Sequence, residues 1–61
     1  MPMIRVEMFE GRTIEQKRNH VKAVTECFIE TCGGKPDQVH VIVDELSQEN
    51  WGVGGELFAD K

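Results

Sequence analysis

Two short stretches of β-type residues flank one amphipathic helical stretch, and that alternation limits the possible folds more than any other feature of the chain. In MIRVEMF, residues 3–9, Ile4, Val6 and Met8 alternate with Met3, Arg5 and Glu7, the period of two expected of a strand covered on one face. VHVIVDEL, residues 39–46, is rich in β-branched side chains and too short for a typical buried helix, so it reads as a second strand. Between them Glu10-Gly11-Arg12 breaks the first pattern. Thr13-Ile14-Glu15-Gln16 then has the form of a capping box, in which the Thr13 hydroxyl accepts from the Gln16 amide while the Gln16 side chain reaches back. Ile14, Val21, Val24, Phe28 and Cys32 recur at helical steps or their multiples, widened by Ala23 and Cys27, against a polar face of Glu15, Arg18, Lys22 and Glu26. Gly33-Gly34 supplies a left-handed stop with Pro36 just beyond, which ends the helix near Thr31 or Cys32.

Strand, helix and strand make one βαβ unit, whose strands should lie parallel and whose crossover should be right-handed. Both faces of such a sheet need cover, yet one helix covers only one. With 61 residues, of which 39% are apolar, a chain this short needs a disulfide, a metal or self-association to offset an ordering entropy of roughly 1.5 kcal/mol per residue. Cys27 and Cys32, the only cysteines, point about 140° apart on a helix and are not a natural pair. His20 and His40 are isolated, and neither CxxC nor HExxH spacing occurs. Self-association remains as the staple, and the uncovered sheet face is a second argument for it.

Seven basic against 11 acidic residues give a net charge of −4, which argues against nucleic acid or an anionic membrane as the partner. Lys17, Arg18, His20 and Lys22 read as the wet face of the helix. No signal peptide or long apolar run is present, so the expectation is a cytoplasmic protein with reduced thiols. In the tail NWGVGGELFADK three of the six glycines fall within four residues. Gly-Val-Gly-Gly does not match GxGxxG and follows no strand-to-helix transition, so a small hairpin is expected rather than a phosphate loop.

Three residues stand out for chemistry. Pro2 at a strand start loses little ladder bonding; if Met1 is removed, it also presents a free, rigid secondary amine. Arg12 occupies the turn after the first strand, and Trp51 precedes the glycine turn. Taken singly, these are a tolerated strand start, a solvated charge and a core or interface aromatic.

Taken together, Pro2 before a short strand, EGRTIEQK at residues 10–17 and ENWGVGGE at residues 49–56 resemble the 4-oxalocrotonate tautomerase family, essentially end to end. The resemblance implies a single domain over residues 2–61 and a β-α-β subunit with a C-terminal glycine-rich hairpin that assembles into homohexamers. It also implies a mature chain beginning at Pro2 and no cofactor or metal. By the same resemblance Pro2 is the base that moves a proton between an enol and its ketone, Arg12 binds a substrate carboxylate, and Trp51 lines a hydrophobic site.

Elementary chemistry is consistent with that expectation. An α-amino group titrates at about 7.7 to 8 and a proline amine is intrinsically more basic, so it must be lowered to serve as a base at neutral pH. Desolvation beside Trp51 and a nearby cation such as Arg12 both act in that direction. Arginine clamps a carboxylate through its planar fork more specifically than lysine would.

The resemblance has one departure. His40 stands in the second strand where the family pattern has a second arginine, so His40 is a further substrate-binding candidate as a neutral donor or a part-time cation. With one cationic anchor gone, an enolpyruvate-type monocarboxylate is as consistent with the sequence as a dicarboxylic 2-hydroxydienoate. Two other readings stay open at this stage. One is a catalytically silent self-assembling interaction protein; the other is a hydratase or dehalogenase that uses Pro2 as an acid.

Overall fold

The expected alternation of elements is present in the computed structural model, which describes residues 1–61: β1 (Met3–Phe9), α1 (Ile14–Cys32), β2 (His40–Leu46), β3 (Gly52–Val53) and β4 (Glu56–Leu57). Single 3₁₀ turns lie at Pro36–Gln38, Gln48–Asn50 and Phe58–Asp60. The capping box forms as its residue types dictate. The Gln16 amide donates to the Thr13 hydroxyl at 3.1 Å, and the Thr13 amide donates to Gln16 Oε1 at 2.9 Å; a cap of this kind stabilises a helix by about 1 kcal/mol. At the other end Gly33, with φ 83°, donates its N–H to the Ile29 carbonyl.

β1 and β2 pair in parallel, in register from Met3 with His40 to Phe9 with Leu46. β3 and β4 form the antiparallel hairpin, and Gly54 and Gly55 both have positive φ, the condition a two-residue type I′ turn imposes. Because side chains alternate across a strand, Ile4, Val6, Met8, Val41, Val43 and Glu45 share one sheet face. α1 lies over that face, where Lys17 Nζ reaches Glu45 Oε1 at 2.7 Å. Met3, Arg5, Glu7, His40, Ile42 and Asp44 share the other, on which no helix lies. Arg5 and Asp44 pair there at 3.6 Å, and Met3 remains 60% exposed.

The helix turns a slightly different side inward than its apolar residues suggest. Lys17, His20, Val21, Val24, Thr25, Phe28 and Ile29 are half-buried, whereas Ile14, Ala23, Cys27 and Cys32 are exposed. At 100° per residue, Ala23 and Cys32 stand 80–100° from Val24, on the flanks of the stripe. Ile14 shares the direction of Val21 but sits in the first turn. The expectation that Lys17 and His20 belong to the wet face is corrected by the same geometry. Each precedes an inward valine, Val21 or Val24, by four residues and so falls within the stripe, while Arg18 and Lys22 are exposed.

No residue of the 61 is buried. The chain exposes 4792 Å², against roughly 4000 Å² for a compact monomer of its mass. Its radius of gyration of 14.6 Å exceeds the about 10 to 11 Å expected of a compact chain of this length. The subunit is a curved sheet-and-helix plate without an interior of its own. Sedimentation at micromolar concentration is therefore expected to show an assembly and no folded monomer. A well-folded monomer that survives dilution would contradict this.

Candidate active site

The expected site residues divide between the two ends of the parallel pair. Pro2 stands immediately before β1 and is half-buried; its carbonyl accepts the His40 amide at 3.0 Å. That bond sets Pro2 against the first residue of β2, so Pro2 and His40 are neighbours. Met1 is 89% exposed, so within the chain it contributes little packing.

Arg12 and Trp51 lie at the opposite end, beyond the last residues of β1 and β2. Seven strand residues at about 3.3 Å each separate them from Pro2 by roughly 20 Å. A single chain therefore does not bring Pro2 to Arg12 or Trp51.

Arg12 opens onto a groove of about 310 Å³ between the start of α1 and β1, lined by Val6, Met8, Arg12, Gln16, Lys17 and His20. Two of its polar side chains are already engaged. Gln16 closes the capping box, and Lys17 is held by Glu45. Arg12 and His20 enter no side-chain hydrogen bond or ion pair. Val6 and Met8 are its apolar residues, and Arg12 is its unpaired cation.

Trp51 does not line this groove. It packs in an aromatic cluster with Phe9, whose ring centroid is 4.2 Å away, and Phe58, at 6.3 Å; Phe9 and Phe58 are 5.1 Å apart. Tilted and edge-on pairs of this kind contribute about 0.5 to 1.5 kcal/mol beyond area burial. The Phe58 amide also donates to the Trp51 carbonyl at 2.8 Å, which ties the end of the hairpin back to its start. Phe9 belongs to the sheet face that α1 leaves open, so Trp51 forms part of an apolar wall at that end.

Sequence reasoning missed Gln16, Lys17 and His20 as groove residues, and Phe9 and Phe58 as companions of Trp51. The four-residue spacing of Lys17 and His20 from inward valines was the signal for the first group. No local pattern announces the second. No group of three or more His, Cys, Asp or Glu residues is gathered to hold a metal ion, and no helix is long and apolar enough to cross a membrane. Cys27 and Cys32 are free thiols. A larger groove of about 440 Å³ runs along the far half of α1 to Pro36, lined by Lys22, Thr25, Glu26, Ile29 and Glu30. Its lining includes none of Pro2, Arg12 and Trp51.

Comparison with known proteins defines the class. The family model described as tautomerase enzyme matches residues 2–61. The chain is 42% identical over 60 residues to 2-hydroxymuconate tautomerase of Bacillus subtilis, covering 98% of this chain and 97% of that protein. It superposes on the crystal structure of a homologue of 4-oxalocrotonate tautomerase with a TM-score of 0.94 at 40% identity, covering 98% of each chain. With a heterohexamer 4-oxalocrotonate tautomerase from Chloroflexus aurantiacus the TM-score is 0.90 at 30% identity, covering 98% of this chain and 97% of that one. Fold and relatives together make the chain an isomerase of the small β-α-β kind. It belongs to the tautomerase family, among whose 4-oxalocrotonate tautomerase homologues its fold is found.

Proposed function

We propose that this tautomerase interconverts the enol and keto forms of a 2-hydroxydienoate or enolpyruvate-type carboxylate, with the Pro2 amine as general base and no cofactor. The observation that carries this reading is the division of polar groups between the two ends of one parallel sheet. Pro2 and His40 lie at the strand starts, and Arg12 with Trp51 lies at the strand ends. A second copy running antiparallel alongside the first would set Pro2 of one copy against Arg12 of the other. The absence of a buried core supports the same assembly. A homohexamer is the closed form proposed, in keeping with the hexameric relative.

In that setting the chemistry needs few parts. Arg12 takes the substrate carboxylate through paired N–H donors and fixes the enol against Pro2. The neutral amine removes the enol O–H proton, the electron pair moves through the conjugated chain, and the same proton returns to carbon. One O–H bond breaks, one C–H bond forms, and nothing is oxidised or reduced. Trp51, Phe9 and Phe58 supply an apolar wall whose desolvation disfavours the ammonium form of Pro2. His40, beside Pro2, is proposed as a donor to the substrate. The free thiols Cys27 and Cys32 support a cytoplasmic setting.

The test is a pair of measurements on one preparation. Intact mass is expected to correspond to chains that begin at Pro2, and the same protein is expected to ketonise free 2-hydroxymuconate in the presence of a chelator. An active preparation in which essentially every chain retains Met1 would exclude the Pro2 base. An inactive one that begins at Pro2 would favour the self-assembling interaction protein.

A further inference from the structure

The turn that carries Arg12 is held on both sides by two adjacent residues of β2. Before the turn, the Glu10 amide donates to the Leu46 carbonyl at 3.0 Å. After it, Lys17 Nζ donates to Glu45 Oε1 at 2.7 Å, and the Lys17 amide donates to the carbonyl of Thr13, the residue that follows Arg12, at 3.1 Å. Between these attachments Gly11 and Arg12 have no side-chain anchor. Gly11 has φ 119°, and a Cβ placed there would find no atom within 4 Å beyond its chain neighbours. The Lys17–Glu45 pair is also the only side-chain hydrogen bond or ion pair that joins α1 to the sheet. Apolar packing is non-directional and does not fix where a helix stands along the strands beneath it; a donor seated on one carboxylate oxygen does. Both side chains are 29% exposed, less than either partner of Arg5–Asp44 or Arg18–Glu15, so water and salt screen this pair least.

We propose that Lys17 and Glu45 form a positioning pair that holds the Arg12 guanidinium where it meets the substrate carboxylate. This rests on the reading of Arg12 as carboxylate anchor. Neither side chain of the pair touches substrate; both act through the backbone of the first turn of α1. With the pair broken, that turn pivots on Gly11 and Arg12 leaves its binding geometry for part of the time. A carboxylate contact is made in the ground state and the transition state alike, so its loosening falls on KM more than on kcat. A displacement of about 1 Å can cost on the order of 100-fold, and a pivot that still visits the correct position costs less.

The experiment measures kcat and KM for 2-hydroxymuconate in wild-type protein, Lys17→Met, Arg12→Ala and the double variant. Lys17→Met keeps the apolar stem and removes the charge; it is expected to lower kcat/KM by about 10-fold, mainly through KM. In the Arg12→Ala background the same substitution is expected to cost less than about 2-fold, because the side chain it positions is gone. Reversing the pair, with Lys17→Glu and Glu45→Lys together, is expected to recover part of the loss that either reversal causes alone. Equal loss with and without Arg12, or no loss at all, would overturn the proposal and leave the pair a contributor to stability only. Should Lys17→Met fail to assemble by sedimentation, Glu45→Gln measured in both backgrounds decides in the same way. Arg12→Ala without effect on 2-hydroxymuconate would instead defeat the anchor reading itself, so the two failures are distinguishable.

Discussion

A chain carrying any residue ahead of Pro2 is expected to lose about 10²- to 10⁴-fold in kcat/KM, the contribution typical of a positioned general acid or base. The preceding peptide bond turns the Pro2 nitrogen into an amide, whose lone pair is delocalised and cannot accept a proton. The fold of the single chain should not notice, because Met1 is 89% exposed. Pro2→Ala with a free terminus retains an amine but loses the ring that holds its lone pair in one direction, so its loss should be smaller than that of the blocked chain. The pH profile supplies the sign. A base works only when neutral, so the rate should rise as pH rises through the pKa of the amine and then level off. A hydratase or dehalogenase that uses Pro2 as an acid would lose rate over the same interval. An N-terminally blocked chain with full activity would remove Pro2 from the mechanism.

Arg12→Ala is expected to lower kcat/KM for a carboxylate substrate by about 10- to 1000-fold, which corresponds to roughly 1.4 to 4 kcal/mol for a charged, hydrogen-bonded contact. An uncharged enol should be affected far less, since the interaction removed is with the carboxylate. Arg12 enters no ion pair of its own chain, so its removal should leave the fold and assembly intact, and sedimentation checks that. His40→Arg adds a permanent cation beside Pro2 and is expected to improve turnover of a dicarboxylate relative to a monocarboxylate. If Arg12→Ala leaves carboxylate turnover unchanged, the anchor assignment fails. If only His40→Arg is silent, His40 leaves the site and the assignments of Pro2 and Arg12 stand.

These two experiments address residues that the sequence singles out, whereas the inward position of His20 is not evident from sequence. Pro2, Arg12 and Trp51 stand at punctuation points of the chain: a strand start, a turn after a strand and the entry to a glycine hairpin. Such points are set by local chemistry, through the proline ring, the capping box at Thr13 and Gln16, and glycines that take positive φ. His20 is a polar residue inside a helix, and sequence composition assigns it to the solvent. Its inward position follows from which side of α1 meets the sheet, and that depends on long-range packing of Val21, Val24 and Phe28 against strands far away in sequence.

The elements themselves were determined by sequence alone. β1 coincides with the alternating segment 3–9, α1 ends at Cys32 as the glycine pair requires, and β2 begins at His40, one residue inside the expected stretch. Each is governed by interactions within a few residues. Only the tertiary structure decided which groups meet: that Pro2 neighbours His40 while roughly 20 Å of strand separates it from Arg12, and that Trp51 stacks on Phe9 instead of lining the Arg12 groove. The physical reason is the parallel register. It collects the starts of β1 and β2 at one end and their ends at the other; the βαβ alternation implies parallel strands, but the residue-by-residue register between segments more than 30 residues apart is encoded by no local pattern.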